Sequence, residues 1–240
     1  MDFIKNVVDI VVHNHKELLS GLQLTLIITF FSLIFSTLIG IGIGYLRSLT
    51  TKQKSFYNSL IKFFQFLAKE YIGIIRGTPL IVQAFFFYLA LVPLAINPLI
   101  KIWFPSGMGP EVAGVIIISL NAGAYMAEIF RGGIQAIDKG QMEAARSLGL
   151  PYKHAMRKVI LPQAVKNMIP AILNQFIISL KDTSLLTIIG VPELTGNGKT
   201  ISVENYKYFE TYLIIGIMYY VIIKLLTFVF SKIEEKLNVW

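Results

Sequence analysis

The most informative stretch of the sequence is polar and charged, and it lies between apolar runs. It reads Glu143-Ala144-Ala145-Arg146-Ser147-Leu148-Gly149 and, nine residues later, Val159-Ile160-Leu161-Pro162. Residues 141–148 favour a short helix, Gly149 is placed as its C-terminal stop, and Pro151 can begin a second helix that runs to Leu161. Two short helices outside the membrane predict a compact docking element. An amphipathic loop resting on lipid headgroups is the alternative that composition alone leaves open.

The rest of the chain has the composition of a membrane protein. Of its 240 residues 55% are hydrophobic, and the mean hydropathy is +0.64, which is too apolar for an ordinary soluble domain. Apolar runs of about 18 residues or more predict transmembrane helices, because a helix satisfies its own backbone polar groups inside lipid. The first 20 residues lack the basic start and apolar core of a cleavable signal peptide. The absence of cysteine excludes disulfides and thiolate metal sites.

The apolar runs predict an all-α fold, a polytopic membrane bundle of five transmembrane helices. The spans are expected at about residues 22–46, 72–92, 111–131, 164–190 and 209–231, all within a membrane domain over 21–235. Residues 1–20 are expected as an outer segment, 134–162 as the docking loop and 236–240 as a tail. Gly40, Gly42 and Gly44 predict a close approach of a second helix to the first span.

The Lys and Arg residues indicate the orientation of the bundle. Sixteen of them fall on one side, in residues 47–76, in 131–166 and at the C-terminal end, against five on the other. Because basic residues accumulate on the cytoplasmic side, we expect the N-terminus outside, and the docking loop and C-terminus in the cytoplasm. The same rule explains the net charge of +8 without a nucleic-acid partner.

Several motifs together resemble one family. Besides the docking stretch they are Arg76-Gly77-Thr78-Pro79-Leu80, Ala124-Tyr125-Met126-Ala127-Glu128-Ile129-Phe130-Arg131-Gly132-Gly133-Ile134, Gly140-Gln141 and Lys181-Asp182-Thr183-Ser184-Leu185. In this order they resemble permeases of ATP-binding-cassette (ABC) importers, in the polar amino acid branch. The resemblance covers about residues 20–235, and the one visible departure is Val159, where the family usually has Ile.

The resemblance implies that the docking loop is a cytoplasmic coupling helix, seated in a cleft of a separate ATPase subunit. The residues expected at that contact are Glu143, Ala144, Ala145, Arg146 and Gly149. Small alanines permit close approach, and the charged pair can form charge-assisted hydrogen bonds with the partner.

Ionisable and polar residues at membrane depth are the candidate substrate contacts. Asn121, Tyr125 and Glu128 fall on one helix face at i, i+4 and i+7. The alternative for Glu128 is an ion pair with Arg131. Asp182 and its neighbour Ser184 lie where an apolar run is interrupted, and broken helices expose groups that bind charged ligands. The alternatives for Asp182 are pairing with Lys181 or capping the following turn through Ser184.

No segment of the sequence supplies a motor or a catalytic site. Gly196-Asn197-Gly198-Lys199-Thr200 looks like the end of a phosphate-binding loop, but Glu193 stands where that motif needs glycine. We therefore expect ATP to be bound by another subunit, and no cofactor or metal in this chain. No Ser/His/Asp or metalloprotease arrangement indicates an enzyme.

The sequence thus predicts the permease of an ATP-driven amino acid importer in the bacterial plasma membrane. The resemblance implies three partners: an ABC ATPase, a second permease subunit (the same or a paralogue) and an extracytoplasmic solute-binding protein. Two intramembrane acids favour a basic substrate such as arginine, lysine or histidine, and glutamine is the alternative. An ion-driven secondary transporter is less favoured, since no inverted repeat is visible.

Overall fold

The computed structural model describes residues 2–49 and 56–237, and within them every regular element is a helix. Lys52 and Lys54 of the basic stretch, and the last three residues of the predicted tail, lie outside the described residues. The helices are α1 (Asp2–Ser48), α2 (Phe56–Gly77), α3 (Leu80–Phe85), α4 (Asn97–Ile100), α5 (Pro110–Gln135), α6 (Lys139–Ser147), α7 (Tyr152–Ala155), α8 (Leu161–Asp182), α9 (Leu194–Asn205) and α10 (Tyr208–Leu237).

Five helical stretches of the described residues are long and apolar enough to cross a membrane. They are Asp2–Arg47, Leu80–Ile100, Pro110–Gln135, Tyr152–Ile189 and Tyr208–Lys236. The predicted all-α, five-span bundle is therefore confirmed.

The N-terminal residues, predicted as an outer segment, are helical. They belong to α1, which runs on from Asp2 with one kink, at Asn14 (φ −112°, ψ 16°). Ile10 and Leu18 are buried in a cluster with residues of α9 and α10. Polar residues interrupt the apolar pattern here, but this packing keeps the segment helical.

The second span begins and ends later than the predicted 72–92. The backbone breaks between Gly77 and Leu80, because Pro79 is extended (φ −66°, ψ 139°) and starts a new helix. Pro93 does not end this span. It lies in a π-helical segment, Phe86–Ile96, that continues directly into α4, and the wider turn tolerates the lost backbone donor.

The docking loop contains one separate short helix, not two. α6 forms as predicted and stops at Gly149, whose φ of +85° is the left-handed conformation that favours glycine. The helix expected from Pro151 does begin there, as α7. It continues through Met156–Ile160 into α8 without a break, so it is the first part of a longer membrane-spanning helix.

The centre of the bundle is the contact between α1 and α5. A Cβ atom on Gly40 would lie 2.5 Å from the Met126 Cβ, and one on Gly123 would lie 2.8 Å from Ile39. Gly44 approaches Phe130 at an ordinary 3.4 Å, whereas Gly42 has open space around it. The predicted close approach therefore depends mainly on Gly40.

Candidate functional site

A chain of amide side chains joins α5 to the break between α2 and α3. Asn121 is buried on α5 and donates from Nδ2 to the Gln83 Oε1 atom at 2.9 Å. The Gln83 Nε2 atom in turn donates to the Ile75 carbonyl (2.8 Å) and to the Thr78 carbonyl and hydroxyl (3.0 and 2.9 Å). Gln83 thus satisfies backbone acceptors that the break at Pro79 leaves without helical partners.

A cavity of about 340 Å³ lies beside this amide chain. Its walls come from α2, α3, the π-helical segment and α5, and they are mostly apolar. Gln83 and Thr78 supply its polar side chains. A largely apolar cavity with a few convergent polar groups is the usual form of a small-molecule site.

Tyr125 lies one turn further along α5 and is partly exposed. The Arg76 guanidinium carbon is 5.4 Å from the centre of its ring, within the range of a cation–π contact. Arg76 is the first residue of the Arg-Gly-Thr-Pro motif, so this contact ties that motif to the α5 face.

Glu128 uses both carboxylate oxygens within the chain. Its Oε1 atom accepts from the Arg47 Nη1 atom of α1 at 2.6 Å. Its Oε2 atom accepts from Arg131 Nε at 2.9 Å and Arg131 Nη2 at 2.5 Å. The alternative of an ion pair with Arg131 therefore holds in the structure. The contact with Arg47 was not foreseen, because no sequence spacing relates residues of two different helices.

Asp182 and Ser184 lie at the end of α8, where the chain continues as a 3₁₀ helix, Thr183–Ile189. The Asp182 side chain makes no capping hydrogen bond, and the Ser184 hydroxyl donates to the Lys181 carbonyl at 2.7 Å. Within the described residues no ion pair joins Asp182 to Lys181. Among residues 2–49 and 56–237, no side-chain hydrogen bond joins Asp182 or Ser184 to the α5 face.

The docking loop presents a defined surface. Asp138 caps α6 by accepting from the Gly140 backbone nitrogen at 2.7 Å. Glu143, Ala144 and Arg146 are exposed, as is Gly149 beyond the helix. Ala145 differs from its prediction as a partner contact, because it is only 5% exposed and faces its own chain, where α6 packs on Met156–Ile160.

Leu148 was not among the predicted contacts, yet its side chain is 85% exposed. It lies between α6 and the left-handed Gly149. The signal in the sequence was a leucine next to a helix-stopping glycine.

A family model described as the binding-protein-dependent transport system inner membrane component matches residues 40–239. The chain belongs to this family. The matched range contains every candidate residue described above. The permease is thus a multi-pass transport component and not an enzyme, and a permease of this class works with a separate ATPase, a substrate-binding protein and a second permease.

Known relatives resemble the permease over nearly its full length. The arginine transport system permease protein of Bacillus subtilis (strain 168) is 36% identical over 221 residues, which are 92% of each chain. The glutamine transport system permease protein of Escherichia coli (strain K12) is 37% identical over 222 residues, 92% of the permease and 93% of the relative.

A solved structure shows the same fold. The crystal structure of an amino acid ABC transporter with histidines matches with a TM-score of 0.82 at 36% identity. The match covers 98% of the permease and 99% of that chain.

Proposed function

We propose that the chain is the permease of an ATP-driven importer of polar amino acids, with its N-terminus outside and α6 in the cytoplasm. The observation that carries this proposal is the exposed, capped α6 with its left-handed stop, on a membrane bundle that has no motor of its own. The names of the relatives, which concern arginine and glutamine, support an amino acid as the substrate.

The substrate path runs along the α5 face in this proposal. Asn121 and Tyr125 contact the amino acid together with Gln83. Gln83 lines the cavity and binds Asn121, and Tyr125 contacts Arg76 just before the helix break. Glu128 has a different role: since both its oxygens bind arginines, it holds α1 to α5.

The case for a basic substrate now depends on Asp182, with Ser184 beside it. Of the two acids that the sequence predicts at membrane depth, Glu128 is neutralised by Arg47 and Arg131, and no ion pair among residues 2–49 and 56–237 involves Asp182. Glutamine is the second candidate, favoured by the Asn121–Gln83 amide pair, which offers a donor and an acceptor to a substrate amide.

Transport by purified components tests the main proposal. The permease is placed in proteoliposomes with the ATPase and the solute-binding protein encoded beside it, and uptake of labelled arginine and glutamine is measured. We expect uptake that requires ATP and all three components. Uptake by the permease alone would instead indicate a secondary transporter.

Two glycines allow a matched test of the coupling surface. Gly149 and Gly190 have φ values of +85° and +86°, and neither has any atom within 4 Å of an added Cβ. Asparagine tolerates this conformation, so Gly149→Asn and Gly190→Asn impose the same local cost. Of the two asparagine variants, we expect only Gly149→Asn to weaken co-purification of the ATPase. Gly149→Asp should abolish co-purification while the chain still inserts into the membrane. Equal co-purification of all three variants would refute the contact.

A further inference from the structure

Glu193 is a buried carboxylate that the transport proposal does not use. It is fully buried, directly before α9. No Lys, Arg or His forms an ion pair with it among residues 2–49 and 56–237. Burying a charge without a cation costs free energy unless hydrogen bonds replace those that it made with water. The donors around Glu193 therefore decide whether the carboxylate is stable there.

Four donors surround the two oxygens of Glu193. Oε1 accepts from the Thr187 hydroxyl and from the Gly196 backbone nitrogen, each at 2.8 Å. Oε2 accepts from the Tyr219 hydroxyl at 2.9 Å and from the Thr25 hydroxyl at 3.3 Å. An ionised carboxylate can only accept, and here every partner donates.

The other bonds of two hydroxyls are compatible with donation to Glu193. Thr25 Oγ1 accepts from the Leu194 backbone nitrogen at 3.2 Å, which leaves its proton for Glu193. The Tyr219 oxygen is 3.2 Å from the Thr195 hydroxyl, which can donate to it. The network is therefore complete with an ionised Glu193, and the N-terminus of the twelve-residue α9 favours the same negative charge.

These donors come from four separate elements. Thr25 belongs to α1, Thr187 to the 3₁₀ helix, Gly196 to α9 and Tyr219 to α10. The carboxylate is thus the point where α9 is attached to the bundle on three sides.

Glycines bring α9 close enough for this attachment. A Cβ on Gly21 of α1 would lie 2.9 Å from the Leu194 Cα, and a Cβ on Gly198 of α9 would lie 1.9 Å from the Ile215 Cδ1 atom of α10. In addition, Asn197 donates to the Glu17 carbonyl at 2.7 Å. α9 is therefore held tightly against two spans.

A second cavity, of about 420 Å³, lies against α9. Thr187 and Gly196 line it and are also partners of Glu193, while Lys199 and Thr200 border it from α9. The charge bias of the sequence puts this end of the bundle outside. The bonds of Glu193 thus form part of the wall between an outer cavity and the core.

We propose that Glu193 is a positioning residue, which locks α9 between α1 and α10 and so keeps the outer end of the bundle closed to free passage of amino acids. The leak part of this proposal rests on the proposed transport function. The attachment of α9 does not, and it is measured separately.

Two variants of Glu193 remove the hydrogen bonds that attach α9, one partly and one fully. In Glu193→Gln the amide nitrogen must take the place of Oε2. At the Oε1 position it would face the Gly196 backbone N–H, which can only donate, so two donors would meet. The hydroxyls of Thr25 and Tyr219 would then have to turn, so Gln loosens α9 partly. Glu193→Ala leaves four donors without an acceptor and loosens it fully.

Spin labels measure the position of α9 directly. The chain has no cysteine, so Leu19→Cys on α1 and Val203→Cys on α9, both exposed, define one distance. We expect a narrow distance distribution with Glu193, a broader one with Gln and the broadest with Ala. The matched control is Glu204→Gln, an exposed acid on α9, which leaves the distribution narrow.

Efflux from proteoliposomes without ATP measures the barrier. Losing hydrogen bonds to a charged group should raise the population of the open state, and with it the leak of preloaded amino acid, by about tenfold or more in Glu193→Gln. A lower melting temperature with unchanged distances and leak would show a merely structural cap and overturn the proposal. Tyr219→Phe, which deletes one donor, should give a leak between those of the unaltered permease and Glu193→Gln. It replaces Glu193→Ala in the experiment if that variant does not fold. Absence of ATP-driven uptake by the unaltered permease would refute the transport function, while the label distances would still decide the attachment.

Discussion

The contact at Gly40 allows a stability effect to be worked out from the structure. Carbon atoms pack best at about 3.5–4.0 Å, whereas a Cβ on Gly40 would lie 2.5 Å from the Met126 Cβ and 3.0 Å from its backbone carbonyl carbon. These Met126 atoms cannot move by rotating a side chain, so Gly40→Ala must push α1 and α5 apart. Overpacking of this kind costs about 1–3 kcal/mol, and we expect the upper part of that range.

Gly42→Ala is the control for this substitution. It lies two residues away on α1 and meets no atom within 4 Å, so it reports only the helix preference for alanine, about 1 kcal/mol in favour of folding. The difference between the two variants is therefore the packing cost.

Thermal unfolding in detergent, followed by intrinsic fluorescence, measures this difference. Each kcal/mol corresponds to about 2–4 °C for a chain of this size, so Gly40→Ala should melt several degrees below Gly42→Ala. Equal melting temperatures would refute the close contact between α1 and α5.

Three further predictions concern charges. Arg47→Met and Glu128→Gln should show a coupling energy of about 0.5–3 kcal/mol in a double-mutant cycle of unfolding, and additive effects would contradict the ion pair. Asp138→Ala should destabilise α6 by about 1 kcal/mol and weaken ATPase co-purification, whereas Asp138→Asn, which still caps, should preserve it; equal loss in both would contradict the cap. Asp182→Asn should lower uptake of arginine more than uptake of glutamine in proteoliposomes, and equal loss would indicate that Asp182 does not select the charge of the substrate.

The sequence predicted the helices well where hydrophobicity alone decides them. Long apolar runs gave five spans, and the Gly149 stop was found because only glycine readily adopts its left-handed backbone. The second span continues past its predicted end at residue 92, because a local rule about proline cannot anticipate the π-helical segment that contains Pro93. For residues 2–20 the sequence did not predict the helix, which packs on α9 and α10.

The candidate site could be predicted only in part. The face of Asn121, Tyr125 and Glu128 follows from helical periodicity. Their partners Gln83, Arg76 and Arg47 do not, because they come from other helices. In the sequence, Glu193 stands out only because it occupies the position where a nucleotide-binding motif needs glycine.

Four features follow from the sequence alone: the membrane location, the five spans, the family and the short helix α6. Each of these depends on composition or short-range order, which a chain carries before it folds. The packing of the helices sets which charges are neutralised. It pairs Glu128 with two arginines and surrounds Glu193 with four donors. It leaves Asp182 without an ion pair to any residue in 2–49 or 56–237. Such pairing depends on which helix faces meet, and residues as far apart as Thr25 and Glu193 become neighbours only when the bundle packs.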